Sequence, residues 1–384
     1  MWLVVMLLGL FSSIQAQPRD SIRFSLLTCD PGPEIYELFG HTAIRYQNFT
    51  HSTDLVFNYG MFSFDTPNFE YRFAKGDADY QLGLNTIEGF KRSYARRGSS
   101  VYEQELNLTF DEKVKLQSLL FENYKPENRV YRYNYFYNNC TTCARDQIEK
   151  CIQGKVIYPD GSSDKTFRKI VHEFCKSSPW DALSMDYALG AEADEPIDAR
   201  LQMFSPIYMY HFAAKAVIET PDGQRRSLVS SETKLVDVQP HPSEPGFIFP
   251  PLIVALCFML VNMIIAFLQI KNQKIYWGWD VLLYGAQGVA GCVIAFLFFF
   301  SSHPTVGSNW MLCVFHPLAL FFIPWVLWGR KKCKKDYFSL FNAVFLTLFI
   351  ISIPLIPQDF NLTVLPLALG LLANAAGHLL VIRK

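Results

Sequence analysis

From Phe247 onward the chain is built of long apolar runs, each near the roughly 20 residues that a helix needs to cross a hydrocarbon core. In lipid a backbone must satisfy its own hydrogen bonds, so each run is expected to be helical. Five spans are expected, at about 247–270, 281–301, 310–329, 338–356 and 361–382. Together they define an all-α membrane domain over 247–384, behind an outer domain that ends in the Pro-rich stretch DVQPHPSEPGF.

The loops between spans alternate in charge. All nine Lys/Arg residues after position 246 fall in the 271–280 loop, the 330–337 loop (RKKCKKDY) or the terminal Arg383–Lys384; the 302–309 and 357–360 loops have none. Basic loops stay in the cytoplasm, which puts the C-terminus inside and the first 246 residues outside. The leader MWLVVMLLGLFSSIQA reads independently as a signal peptide, residues 1–16, with cleavage before Gln17. Trp277, Trp279, Trp310, Trp325 and Trp328 lie near span ends, as interfacial aromatics do. His316 and His378 lie within spans and are expected to hydrogen-bond between helices.

The zero net charge of the whole chain hides an asymmetry, because the first 246 residues hold 26 basic and 32 acidic side chains. A mildly acidic domain without a basic stripe argues against nucleic acid as a partner. Its length, 17–246, suits one α+β domain with a real core. Strands are expected at Ile22–Thr28, Thr42–Tyr46, Leu55–Tyr59, Tyr80–Leu84, Val101–Leu108 and Arg129–Tyr137. IEGFKRSYARR and the run after Thr109 read as helices, the second with acids in its first turn. A further helix starts at NNCTTCARDQIEKCI, with Asn138 and Asn139 as cap candidates. Residues 160–246 show packing and turn fragments (PW, LGAEAD, MFSP) and a hairpin around ETPDGQRRSLV.

Cys140 sits in the first turn of that helix. There, unpaired N–H groups and the helix dipole favour a thiolate and could hold an oxyanion. His41, after Gly40 and opening the TAIRY strand, is the candidate base. His51 lies in a polar loop and is expected to be solvated. Five Cys precede position 247 (Cys29, Cys140, Cys143, Cys151, Cys175), so disulfides, including a Cys140–Cys143 redox pair, stay open at this point. Metal-ligand spacing is absent, and neither a metal nor another cofactor is expected.

The segments SLLTCDPGPEIYELFGHTAIRY, DLVFNYGMFSFDTPNFEYRFAKG and KPENRVYRYNYFYNNCTTCARD resemble the Lnb N-terminal periplasmic domain, and the multi-span tail resembles the transmembrane region of the same family. The resemblance implies a circularly permuted papain-like fold, in which the His strand precedes the Cys helix. It implies a lipoprotein N-acyltransferase with Cys140 as nucleophile and His41 as base. A phospholipid would be the acyl donor and a diacylglyceryl lipoprotein the acceptor, at the bacterial inner membrane. Cys143 is expected to be dispensable and Cys29 structural. If the two strands fold back near residue 50, His41 lies opposite Asn58 or Tyr59, and Asn58 can accept from the imidazole as the third member. A papain-like cell-wall peptidase or amidase, and a non-catalytic receptor or assembly factor with a disulfide-bonded Cys140, are the rival readings.

Overall fold

The computed structural model describes residues 21–239, 247–329 and 337–382. The expected signal peptide, residues 240–246 of the linker and the RKKCKKD part of the basic loop lie outside the described residues.

The outer domain is mixed α/β. Its elements are β1 (Ile22–Cys29), β2 (His41–Asn48), β3 (Thr53–Met61), α1 (Phe69–Lys75), β4 (Asp79–Thr86), α2 (Ile87–Arg97), β5 (Val101–Leu106), α3 (Phe110–Tyr124), β6 (Val130–Arg132) and α4 (Cys140–Cys151). They are followed by β7 (Lys155–Ile157), α5 (Phe167–Phe174), α6 (Pro179–Ala188), α7 (Ala199–Gln202), α8 (Pro206–Lys215), β8 (Val217–Glu219), β9 (Arg225–Ser227) and β10 (Val229–Val236). Seven strands form one antiparallel sheet in the order β10-β5-β1-β2-β3-β4-β6, and β7-β8-β9 form a small second sheet.

The sheet is covered on both faces, which explains why β1 is buried almost throughout. Phe24 and Leu26 point to one face and join Leu116, Leu120, Ala144 and Ile148 of α3 and α4. Leu27 and Cys29 point to the other and join Ile87, Phe90 and Tyr94 of α2. Helix α3 starts at a reciprocal cap: the Thr109 hydroxyl accepts from Glu112 N–H, and the Glu112 carboxylate accepts from Thr109 N–H.

Two expectations are corrected here. The strand expected over Arg129–Tyr137 is limited to Val130–Arg132, because Asn134 Oδ1 accepts from the N–H groups of Phe136 and Tyr137 and turns the chain. Residues 160–216 are more helical than their irregular pattern indicates. Pro179 and Pro206 each open a helix, a position where a missing N–H costs nothing.

The membrane half contains α9 (Pro251–Asn272), α10 (Trp277–Phe300), α11 (Leu318–Gly329), α12 (Tyr337–Ser352) and α13 (Val364–Ile382). Among the described residues four helices are long and apolar enough to cross a membrane. The span expected at 310–329 is the exception. It is a single 3-10 turn at Trp310–Cys313 followed by the 12-residue α11. Pro317 explains the break: it donates no hydrogen bond and disfavours helical backbone at His316. His378 of α13 does bond between helices, Nε2 with Asp280 Oδ1 of α10 at 3.0 Å, whereas His316 lies in the break before α11 and meets Asn342 Oδ1 of α12 from there at 3.0 Å.

The two halves are clamped together around Arg168. This residue is 1% exposed. It donates to Asp194 Oδ1 (2.7 Å), to Asp186 Oδ1 (3.1 Å) and to the carbonyls of Asp186, Leu189 and Gly190. The second oxygens of both carboxylates reach the membrane half. Asp186 Oδ2 accepts from Asn361 Nδ2 (2.8 Å), and Asp194 Oδ2 accepts from Asp359 N–H (3.1 Å). The 301–309 loop joins the same seam, where Gly190 N–H donates to Thr305 O and Asn309 Nδ2 donates to Tyr187 O.

Candidate active site

His41 opens β2 and Cys140 opens α4, and the fold brings them together at one end of the sheet. Helix α4 packs across β2 and β3, so its first turn lies beside the start of one strand and the end of the other. Gly40 has φ +79° and turns the chain into β2; a Cβ there would lie 2.4 Å from the Cys29 carbonyl oxygen, so only glycine fits. Gly60 is the second tight point. Its φ is +84°, and a Cβ would lie 3.3 Å from Cys140 Cβ and 3.9 Å from His41 Cε1. The β3–β4 register shifts between Asn58 and Met61, a bulge at the strand end that accommodates the approaching thiol.

The start of α4 is held by Asn139, which is buried. Its Oδ1 accepts from the N–H groups of Thr141 and Thr142 at 2.9 Å, and its Nδ2 donates to the carbonyls of Tyr135 and Phe204. Of the two cap candidates, Asn139 is the cap. This changes the expected oxyanion site, because two of the first-turn N–H groups are already taken. Among the described residues the Cys140 N–H keeps no acceptor, and it is the donor that α4 can offer to a developing oxyanion.

Beside the thiol the imidazole is aligned by an amide. His41 Nε2 lies 2.5 Å from Asn58 Oδ1. An amide oxygen only accepts, so Nε2 carries the proton and Nδ1 is left for the thiol. Asn58 is oriented in turn, its Nδ2 donating to Asn85 Oδ1 at 3.3 Å. The register differs from the expected one. Pairs such as Ile44↔Phe57 place Gly60 opposite His41, with Asn58 diagonal on the same face and Tyr59 on the other face. Asn58 therefore reaches the imidazole and Tyr59 does not; the Tyr59 hydroxyl donates instead to Asn123 Oδ1 at 2.6 Å.

Electrostatics favours an ion pair. Burial opposes the Cys140 thiolate. The charge and hydrogen bond of His41 outweigh it, helped by Thr42 N–H and the Thr141 hydroxyl, and bring the thiol down to about 7. Burial likewise opposes the His41 cation, yet the Cys140 charge, its hydrogen bond and Asn58 raise the imidazole above its ordinary value. Cys143, one turn on, behaves oppositely: burial first, then the Cys140 charge, pushes its thiol up to about 12.

The remaining candidates separate cleanly. The five cysteines of the outer domain are free thiols, so neither the Cys140–Cys143 pair nor a disulfide-bonded Cys140 is present. Cys29 is fully buried and hydrogen-bonded with Tyr94, and burial holds it well above the usual thiol range. His51 is exposed in the β2–β3 turn, away from the cleft. Sequence reasoning missed Gly60, Asn85 and Tyr94, whose ring stacks on His41 at 6.2 Å. Only Gly60 carried a readable signal, a glycine directly after the expected strand Leu55–Tyr59.

His41, Asn58 and Gly60 line a cleft of about 640 Å³, within the usual range of small-ligand sites. No group of His, Cys, Asp and Glu suited to a metal ion occurs among the described residues.

Fold and site together define a membrane-embedded helical domain carrying a mixed α/β domain with a thiol–imidazole–amide line at a helix start. Residues 14–169 match the family model for the Lnb N-terminal periplasmic domain, and residues 242–384 match that for the Lnb transmembrane domain. The chain belongs to the Lnb family. A periplasmic domain followed by a multi-helix transmembrane domain is the arrangement of an inner-membrane protein. Comparison with curated proteins and with solved structures gave no match.

Proposed function

We propose that this protein is a lipoprotein N-acyltransferase that moves a fatty acyl chain from a phospholipid, through a Cys140 thioester, to the α-amino group of a diacylglyceryl-cysteine lipoprotein. The observation that carries the reading is the alignment of Cys140, His41 and Asn58 at a helix start, in a domain clamped to membrane helices. We read the outer domain as a circularly permuted papain-like fold, His strand before Cys helix, spanning 17–246 after a cleaved leader and followed by the membrane domain at 247–384.

In the first half-reaction the thiolate attacks the ester carbonyl, and the Cys140 N–H stabilises the oxyanion. His41 then gives its proton to the departing lysophospholipid oxygen. In the second, the neutral amine of the acceptor attacks the thioester, and His41 takes the proton as the amide forms. Asn58 keeps the ring in the tautomer both steps need. Holding the nucleophile at the bilayer raises the effective concentration of lipid esters.

The 301–309 and 357–363 segments lie against the outer domain, so these loops share its side of the membrane. The first lacks basic residues and so does the second, while the loops at the opposite ends of the helices are basic. This supports a periplasmic catalytic domain and a cytoplasmic C-terminus. The decisive test is mass spectrometry of lipoproteins from a Cys140→Ala strain. Loss of the N-linked acyl chain is expected; unchanged N-acylation rejects the assignment, and on the unsubstituted protein a peptidyl rather than fatty acyl adduct at Cys140 would favour a peptidase.

A further inference from the structure

The segment 61–73, MFSFDTPNFEYRF, holds five aromatic residues in thirteen positions and joins β3 to α1. Phe62, Phe64 and Tyr36 meet one another with ring centroids 5.0–5.8 Å apart, and all three line the cleft that contains His41. Tyr36 is 51% exposed and Phe64 58%. Both Phe62 and Phe64 also contact Phe69, the first residue of α1, at 5.2 and 5.3 Å.

Helix α1 is bolted to the outer end of α10. Ser301 Oγ donates to Ala74 O (2.7 Å), Ser302 N–H to Lys75 O (2.8 Å) and His303 Nε2 to Phe73 O (2.7 Å). Tyr71 packs its ring on Phe296 of α10 at 5.7 Å, and Phe296 stacks on the exposed Phe300 at 6.0 Å. An aromatic surface thus runs from a membrane-spanning helix to the rim of the cleft. Left in water, such a patch is unfavourable, and its continuity with a lipid-facing helix end names an apolar occupant.

We propose that this surface is the track along which one acyl chain of a bilayer phospholipid reaches Cys140. The inference rests on the acyl transfer proposed above. The ester of a phospholipid sits at the membrane boundary, and bringing it to the thiol withdraws methylene groups from lipid; a lining of rings keeps them out of water. The opposite wall favours a phospholipid over the neutral diacylglyceryl group of a lipoprotein. There α2 presents Arg92, Arg96 and Arg97 around a shallow depression beside the cleft, a cationic surface suited to a phosphate. Arg97 is partly engaged already, 2.8 Å from Glu37.

The test uses the full chain in phosphatidylethanolamine vesicles containing a phospholipid with a photoactivatable acyl chain, with crosslinked peptides mapped by mass spectrometry. Crosslinks at Tyr36 and within 61–73 are expected in addition to those on the spans. Tyr36→Glu with Phe64→Glu should lower the cleft crosslinks about five-fold or more while the span crosslinks persist. Tyr71→Glu should do the same from the membrane end. Iodoacetamide alkylation of Cys140, within about two-fold of the unsubstituted rate, shows that the site is still folded. Crosslinks confined to the spans, or insensitive to the double variant, overturn the track. So does labelling by a photoactivatable diacylglyceryl lipopeptide but not by the phospholipid. Acyl-thioester on Cys140 is measured in parallel: its absence from the unsubstituted protein, with the track still labelled, overturns the transfer reaction and leaves the track standing.

Discussion

The Arg168 clamp and the Cys140 cleft are both built from buried polar side chains, yet one consumes its hydrogen-bonding capacity and the other leaves a face open. Around Arg168 the guanidinium is saturated, and both carboxylate partners turn their second oxygens to backbone or side-chain donors of the membrane loops. Such a network holds pieces in place and has nothing left to offer a ligand. At the cleft, Asn139 makes four side-chain hydrogen bonds and Asn58 holds the ring and Asn85, and the His41 ring they help to place beside the Cys140 thiol lines open space.

The sharpest way to break the comparison is to remove the open groups. Cys140→Ala and His41→Ala should each lower N-acylation by about 10³-fold or more while thermal unfolding of the protein barely moves. A large loss of stability instead would place these residues with the clamp. The reverse experiment is Arg168→Ala, which strands two buried carboxylates and should cost about 3–5 kcal/mol. A thermal melt of the full chain in detergent checks it, and an unchanged melting temperature would deny the clamp its role.

Asn58 tests the layer behind the open pair. Asn58→Ala frees the imidazole to rotate, and a loss of activity of about 10²-fold is expected without loss of fold. A pH series then reports the pair itself. The thiolate is the reactive form and the Cys140 thiol is lowered to about 7, so alkylation of Cys140 should rise with pH through a midpoint near that value. Removing His41 takes away the stabilising charge, and the midpoint should move upward. Cys143, with its thiol near 12, should stay unlabelled at neutral pH. The smallest effect is expected at Cys143→Ser, with activity within about two-fold of the unsubstituted protein, since this thiol donates to Asn138 Oδ1 and a hydroxyl can do the same.

Much of the fold and of the site is legible in the amino-acid order. Helix α2 matches the expected IEGFKRSYARR, and Thr109 caps α3 as its first-turn acids indicate. Apolar runs and cap residues are local signals, read within one turn or one strand. The pairing of His41 with Cys140 is legible too, since a cysteine at a helix start needs a base and the outer domain offers few histidines. A fold-back near residue 50 points to Asn58, although through a register off by two positions. The strand expected over Arg129–Tyr137 fails where Asn134 turns the chain, and the span expected at 310–329 fails at Pro317, a local signal outweighed by hydropathy.

The division into an outer domain and membrane helices, the alternation of basic and uncharged loops, and the residues proposed to carry the chemistry all follow from the order of amino acids. Three features arise only in the folded chain. Gly60 and a bulge in β3 let a thiol approach the end of that strand, Arg168 joins the two halves, and aromatic rings distant along the chain form one surface. The reason is range. Burial periodicity and capping are set by neighbours in sequence, whereas close approach and saturation of a buried charge depend on groups that meet only once the chain has folded.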